Sequence, residues 1–85
     1  MVTAESIRRN IAQGITVQHL KVAGEDGTHF EAVIVSEAFT GKNRVQRHQL
    51  VYQTLGDRMR GEIHALSMKT YTPQEWEKQR LDAGC

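Results

Sequence analysis

The chain has 85 residues, the size of one small domain with a single modest core. Eleven basic residues against ten acidic ones give a net charge of +1, and 6% of residues are aromatic. This composition lacks both the basic footprint of general nucleic-acid binding and a surface for stacking bases. The single cysteine, Cys85, excludes an internal disulfide and an all-cysteine metal site. No signal peptide and no apolar run of the ~20 residues needed to span a bilayer are present, so we expect a soluble protein in the reducing cytoplasm.

The first half of the chain predicts a helix followed by a hairpin. Thr3 can cap a helix over residues 4–13, with an apolar stripe at helical spacing, and Gly14 ends it. Residues 15–23 are apolar and β-branched but alternate imperfectly, which predicts a first strand with a bulge near residues 18–19. Asp26 and Gly27 supply a tight reversal into a second strand over residues 30–36. These strands should pair antiparallel.

The second half predicts a helical crossover and a third strand. A loop over residues 37–43 leads to a helix over 44–55, and a short helix over 57–61 should follow. The buried stripe predicted for the longer helix is Val45, His48, Val51, Tyr52 and Leu55. A strand over residues 63–70 should return parallel to the second strand. Thr72 and Glu75 form a capping box for a last helix, which should bury Trp76.

The predicted order is therefore α-β-β-α-α-β-α. This order corresponds to an α+β fold, with one three-stranded mixed sheet and helices packed on it. We expect residues 1–81 to form the single domain and residues 82–85 a flexible tail.

Histidines are the main candidate ligands. His29 and His64 stand at the predicted starts of the second and third strands, which share one edge of the sheet if those strands are parallel neighbours. Two imidazoles at one edge can share a metal, although the chain completes no tetrahedral set around them. His19 lies within the first strand and is a weaker candidate. For His48, on an apolar helix face, a packed histidine bonded to a carbonyl is the better explanation.

A basic stretch enters the second helix. Lys42, Arg44 and Arg47 could contact phosphates, but a solvated helix start explains them better. The element order is that of the KH domains that begin with a helix, yet residues 41–44 lack the second glycine of a GXXG clamp, which counts against KH-style RNA binding. No nucleophile-base arrangement and no glycine-rich phosphate loop is present, so we do not expect an enzyme.

Five motifs in register carry a family resemblance. They are residues 26–31 (DGTHFE), 35–41 (VSEAFTG), 47–52 (RHQLVY), 63–67 (IHALS) and 70–76 (TYTPQEW). Across roughly residues 3–80 the chain resembles the BolA family, and it is most similar to the bacterial IbaG (YrbA) branch. The resemblance implies a BolA-like fold of the type II KH-like kind.

The resemblance also implies a partner and a cofactor. BolA proteins pair with a monothiol glutaredoxin, and a [2Fe-2S] cluster is bridged between the glutaredoxin cysteine, a glutathione thiol and histidine of the BolA protein. The family histidine falls on His64. In many members a histidine or cysteine in the first hairpin loop is a second ligand, but residues 24–28 contain neither, so His29 is the available substitute. The resemblance assigns no role to Cys85, and the isolated fold should need no cofactor.

Three functional hypotheses follow. Replacing a thiolate by neutral imidazole should raise the cluster's reduction potential and ease its transfer, which favours an adaptor or regulator in iron-sulfur trafficking or in iron and stress regulation. The alternative is a DNA-binding transcriptional regulator that uses a helix-turn-helix-like region over residues 39–55. A third is a mononuclear metal-binding module. The sequence leaves open whether the free protein forms a weak homodimer.

Overall fold

A computed structural model describes residues 3–24, 29–56 and 65–83. Their elements are α1 (Ala4–Gly14), β1 (His19–Ala23), β2 (His29–Val35), a 3₁₀ helix (Glu37–Phe39), α2 (Arg44–Leu55), β3 (Ala65–Tyr71) and α3 (Pro73–Ala83). The predicted α+β class is confirmed. The short helix predicted over residues 57–61 lies outside the described residues. The last helix continues past residue 81, and the assignment of a domain and a tail stays a prediction.

Local hydrogen bonds fix where the helices begin. At each helix start, the side chain of the capping residue accepts a hydrogen bond from the backbone N–H three residues later. The side chain of that later residue in turn accepts a hydrogen bond from the backbone N–H of the capping residue. The three pairs are Thr3 with Ser6, Asn43 with Gln46, and Thr72 with Glu75. The first two boxes use Ser and Gln in the later position, and only the third was predicted in full. These caps explain why the predicted helix starts are confirmed.

The sheet has the order β1-β2-β3, with β2 in the centre. β1 pairs antiparallel with β2, and β2 pairs parallel with β3, so the predicted hairpin and crossover are confirmed. The predicted start of β1 is wrong, because the strand begins at His19 and pairs without interruption, leaving no bulge. Ile15 is buried all the same, because it enters the core from the connection after α1.

The core lies between one face of the sheet and the helices α1 and α2. Its members are Ile7, Ile11, Ile15, Phe30, Ala32, Ile34, Phe39, Val51, Leu55 and Met68. Two members of the stripe predicted for α2 are wrong, since Val45 is 63% exposed and Tyr52 is 37% exposed. The buried face of α2 is turned toward α1. The two helices contact so closely that a Cβ atom added to Gly14 of α1 would lie only 2.5 Å from Cγ2 of Thr54 in α2. Because α1 passes this close, α2 buries the side that carries Leu50, Val51 and Thr54.

Within the described residues, α3 covers one end of the second face of the sheet. There Trp76 of α3 stacks on His19, with ring centroids 4.9 Å apart and planes inclined by 16°, and contacts Tyr71 at 5.5 Å. Trp76 is half-buried rather than fully buried. Toward the other end, Lys21, His29, Glu31, Ser67 and Lys69 are exposed. Among the described helices, none combines the length and apolar character needed to cross a bilayer.

Candidate functional site

His29 lies at the end of the sheet where β2 and β3 begin. It is the first residue of β2, its side chain is exposed, and its register partner in β3 is Ala65. Because β2 and β3 are parallel, both strands begin at this edge. This end of the sheet therefore consists of the first residues of β2 and β3, and the first residue of β2 carries an imidazole.

His64, the predicted principal ligand, lies outside the described residues. In the chain it directly precedes Ala65, the partner of His29. The parallel pairing on which the two-histidine hypothesis depends is confirmed, while the ligand roles of His29 and His64 stay predictions.

The described residues hold no complete metal centre. Over residues 3–24, 29–56 and 65–83, no group of three or more histidine, cysteine, aspartate or glutamate side chains could bind a metal ion. A centre built on His29 therefore needs donors from beyond these ranges or from a second molecule.

The other two histidines lie apart from this edge. His19 pairs with Val35, six residues along β2 from His29, which corresponds to about 20 Å. His48 is half-buried on α2, and burial, with a smaller contribution from the Arg44 charge, lowers the pKa of its imidazole. The carbonyl bond expected for this imidazole stays a prediction.

Of the three basic residues predicted to contact nucleic acid, Arg47 is the least exposed, with 14% of its side chain accessible. Its guanidinium binds the carboxylate of Glu75 through two contacts, of 2.7 Å and 3.2 Å. It also donates to the backbone oxygens of Lys42 and Thr70, at 2.9 Å and 3.2 Å. Arg47 thereby connects the loop before α2, the end of β3 and the start of α3, and its donors are engaged within the fold.

Lys42 and Arg44 are exposed and line a cleft with a basic rim. The cleft, of about 650 Å³, lies between the start of α2, the outer edge of β3 and the first turns of α3. A second cleft of about 460 Å³ adjoins it and reaches Leu66, near the start of β3. We call the two together the β3 cleft. Its charged lining residues are Lys42, Arg44, Arg47, Lys69, Lys78, Glu31 and Glu75.

Sequence reasoning missed Lys69 and Lys78 as members of this surface. They are far from Lys42 in the chain and reach it only through tertiary packing. A signal existed for Lys69, which alternates with the buried Met68 in a strand and must therefore point away from the core.

The helix-turn-helix-like interpretation of residues 39–55 is not matched by the geometry. This range contains the end of a three-residue 3₁₀ helix, a turn with Gly41 at a φ of 79°, and one α-helix, α2. The segment before the turn contributes Phe39, which is fully buried, to the core. It does not form a separate α-helix that could cross a DNA backbone.

Comparison with known proteins agrees with the motifs. The family model described as BolA-like protein matches residues 2–75. The acid stress protein IbaG of Escherichia coli K12 is 39% identical over 75 residues, covering 87% of this chain and 88% of that protein. A protein of Vibrio cholerae named DNA-binding transcriptional regulator BolA is 36% identical over 86 residues, covering 91% and 81%. The structure of a bolA protein homologue from Coxiella burnetii superposes with a TM-score of 0.78 at 46% identity, covering 91% and 99%. The chain therefore belongs to the family of BolA-like proteins.

Proposed function

We propose that this protein is an adaptor or regulator that partners a monothiol glutaredoxin and shares a glutathione-ligated [2Fe-2S] cluster with it. His64 is the principal ligand in this proposal and His29 the secondary one. The observation that supports it most is the position of His29. It is exposed at the end of the sheet where β2 and β3 begin, opposite the residue that follows His64. The names of the relatives, a regulator and a stress protein, agree with a role that is not catalytic.

The donor chemistry fits such a cluster. Imidazole is an established ligand of one iron in Rieske-type [2Fe-2S] centres. A bridged cluster needs only part of its ligands from each protein, so a cluster can be shared even though the described residues contain no group of three or more side chains that could bind a metal ion. When bound, the cluster would supply one-electron chemistry and be transferable, and this chain would supply neutral nitrogen donors and a docking surface.

A spectral titration tests the proposal. A glutaredoxin reconstituted with its cluster and glutathione is titrated with this protein while visible absorption and circular dichroism are recorded. We expect a saturable change of the spectrum that is lost in His64→Ala and reduced in His29→Ala. His19→Ala is the matched control, because His19 lies at the other end of the sheet. An unchanged spectrum, or a His64→Ala variant identical to the wild type, would refute the proposal.

DNA binding is the second candidate function. Two observations favour it: Lys42 and Arg44 are exposed on the basic rim of the β3 cleft, and one relative is named a DNA-binding transcriptional regulator. Arg47 would support the site from within the fold through Glu75 rather than by contacting phosphate. Gel-shift titrations at two salt concentrations test this function. Lys42→Gln with Arg44→Gln should reduce the slope of log affinity against log salt by about 1.8, since each phosphate contact contributes about 0.9. A slope unchanged by the double variant would exclude these residues as phosphate contacts.

A further inference from the structure

The outer edge of β3 is an unpaired strand edge in the described sheet. The strand order β1-β2-β3 leaves β3 with one neighbour, β2. Two contacts fix which backbone groups point outward. Tyr71 O accepts from Ser36 N, on the β2 side, whereas Thr70 O accepts from Arg47 on the opposite side. Because backbone direction alternates along a strand, the amides of Leu66, Met68 and Thr70 face away from β2.

The β3 cleft includes this outward edge. It is lined by Leu66, Met68 and Thr70 of β3 and by the first turns of α2 and α3, and it extends to residues 31–33 of β2. Such a channel has the form needed for strand addition, in which an extended segment pairs its backbone with an exposed sheet edge. Arg47 already donates a hydrogen bond to the backbone oxygen of Thr70, so backbone pairing with an added strand would centre on Leu66 and Met68.

The charge of the cleft selects the kind of segment. Lys42, Arg44, Lys69 and Lys78 are exposed lining residues and outnumber the exposed carboxylate Glu31, and the charge of Glu75 is offset by its ion pair with Arg47. A segment with acidic side chains on either side of its backbone would meet positive charge along both walls. A second copy of this chain is disfavoured at this edge because it would bring the same positive charges together.

Single-stranded nucleic acid fits the cleft less well than a peptide does. Binding of unpaired bases relies on stacking against accessible aromatic rings. Among the lining residues the one aromatic side chain besides His48 is Tyr71, which is half-buried and packs on Trp76. The backbone donors of an edge strand, by contrast, are suited to another backbone.

We propose that the outer edge of β3 binds an acidic peptide segment of a partner protein by strand addition. The interaction uses the outward amides of Leu66 and Met68 for backbone pairing. Lys42, Arg44, Lys69 and Lys78 provide charge recognition. This inference does not depend on cluster binding, and the surface differs from the strand-start edge that carries His29.

The probe is a synthetic peptide with blocked ends in which pairs of glutamates alternate with pairs of valines, so that an extended backbone carries carboxylates on both faces. Titration into the full chain, followed by amide NMR shifts and hydrogen exchange, should perturb and protect the amides of Leu66 and Met68. A twin peptide N-methylated at alternate amides loses its backbone N–H donors on one side, and the methyl groups there block close approach to a strand edge, so it should bind about tenfold more weakly. A twin with lysine in place of glutamate should not bind. Lys42→Gln with Lys78→Gln should weaken binding of the acidic peptide several-fold, whereas Lys21→Gln, on the opposite edge strand, should not.

Four outcomes would overturn the proposal. The first is equal affinity for the N-methylated peptide, and the second is a set of perturbations centred on β1. The third is tighter binding of a DNA oligonucleotide at the same amides, which would assign the cleft to nucleic acid. The fourth is protection of these amides that depends on protein concentration without peptide, which would assign the edge to self-association.

Discussion

Arg47 and Glu75 form a two-point ion pair that joins α2 to α3, with Nη1 of Arg47 2.7 Å from Oε1 of Glu75. The same Oε1 atom accepts from the backbone N–H of Thr72 at 2.8 Å, so one carboxylate both caps α3 and holds the arginine. Hydrogen bonds from Arg47 and from Thr72 lower the pKa of Glu75. This contact shapes one wall of the β3 cleft.

Removing Arg47 should cost more stability than removing the charge of Glu75. Arg47→Ala loses the ion pair, two bonds to backbone oxygens and the cover that the guanidinium gives Phe39 at 6.0 Å, and we expect about 2 kcal/mol. Glu75→Gln keeps an oxygen for the Thr72 amide but loses the charge and the oxygen that accepts from Nη2 of Arg47, at a half-exposed position, so we expect about 1 kcal/mol. Urea unfolding measures both. Arg80→Ala, which removes an exposed ion pair with Glu77, is the control, and a loss in Arg47→Ala no larger than in Arg80→Ala would contradict the account.

Acidification should destabilise the fold partly through His48. Burial and the Arg44 charge lower its folded pKa below the ordinary value of 6.5, so the unfolded chain binds the proton more readily. Stability associated with His48 is therefore complete above the unfolded pKa and decreases as the pH falls from about 6.5 toward the folded pKa. Urea unfolding between about pH 5 and pH 8 should show a smaller decrease in His48→Gln than in the wild type. A steeper decrease in the variant would reverse the predicted sign.

Two valines on the same helix provide a matched pair that tests the observed orientation of α2. Val51 is 0% exposed and Val45 is 63% exposed. Val51→Ala should cost about 2–3 kcal/mol through lost burial and a cavity. Val45→Ala should be neutral or slightly stabilising, because alanine has the higher helix propensity and little surface is lost. Equal losses in denaturant unfolding would mean that the helix is turned as the stripe predicted from the sequence requires.

Ser36 should be more important than an ordinary serine. It is 0% exposed, its hydroxyl donates to Thr16 O at 2.6 Å, and its Oγ accepts from Ala38 N–H at 3.1 Å. Ser36→Ala leaves the part-buried Thr16 carbonyl and Ala38 amide without these partners and should cost about 1–3 kcal/mol. Ser67→Ala, at an exposed strand position, should be close to neutral. Similar unfolding midpoints for the two variants would contradict this role.

The sequence predicted where helices and strands lie in the chain better than which side of each is buried. Capping residues and β-branched alternation are local signals, so the bounds of α2 and the start of α1 were predicted closely. The first strand was predicted too long because Ile15 and Val17 are apolar, yet they pack from a connection without strand pairing. The 3₁₀ helix with Phe39 was predicted as loop, since three residues give no periodicity to recognise.

The sequence predicted one functional surface and missed the other. The placement of His29 at a parallel strand start followed from topology, whereas the β3 cleft could not be predicted because its basic residues come from α2, β3 and α3. The engagement of Arg47 by Glu75, which are 28 residues apart, is likewise a tertiary fact that no local pattern shows.

Cluster sharing through this chain's own histidine is tested most directly by isotope labelling. The protein alone is labelled with ¹⁵N, mixed with unlabelled cluster-bearing glutaredoxin and glutathione, reduced, and examined by pulsed electron paramagnetic resonance. We predict a ¹⁵N hyperfine coupling of the size expected for a directly bound imidazole, retained in His19→Ala and lost in His64→Ala. A complex that forms with an intact cluster and shows no such ¹⁵N coupling would contradict the account.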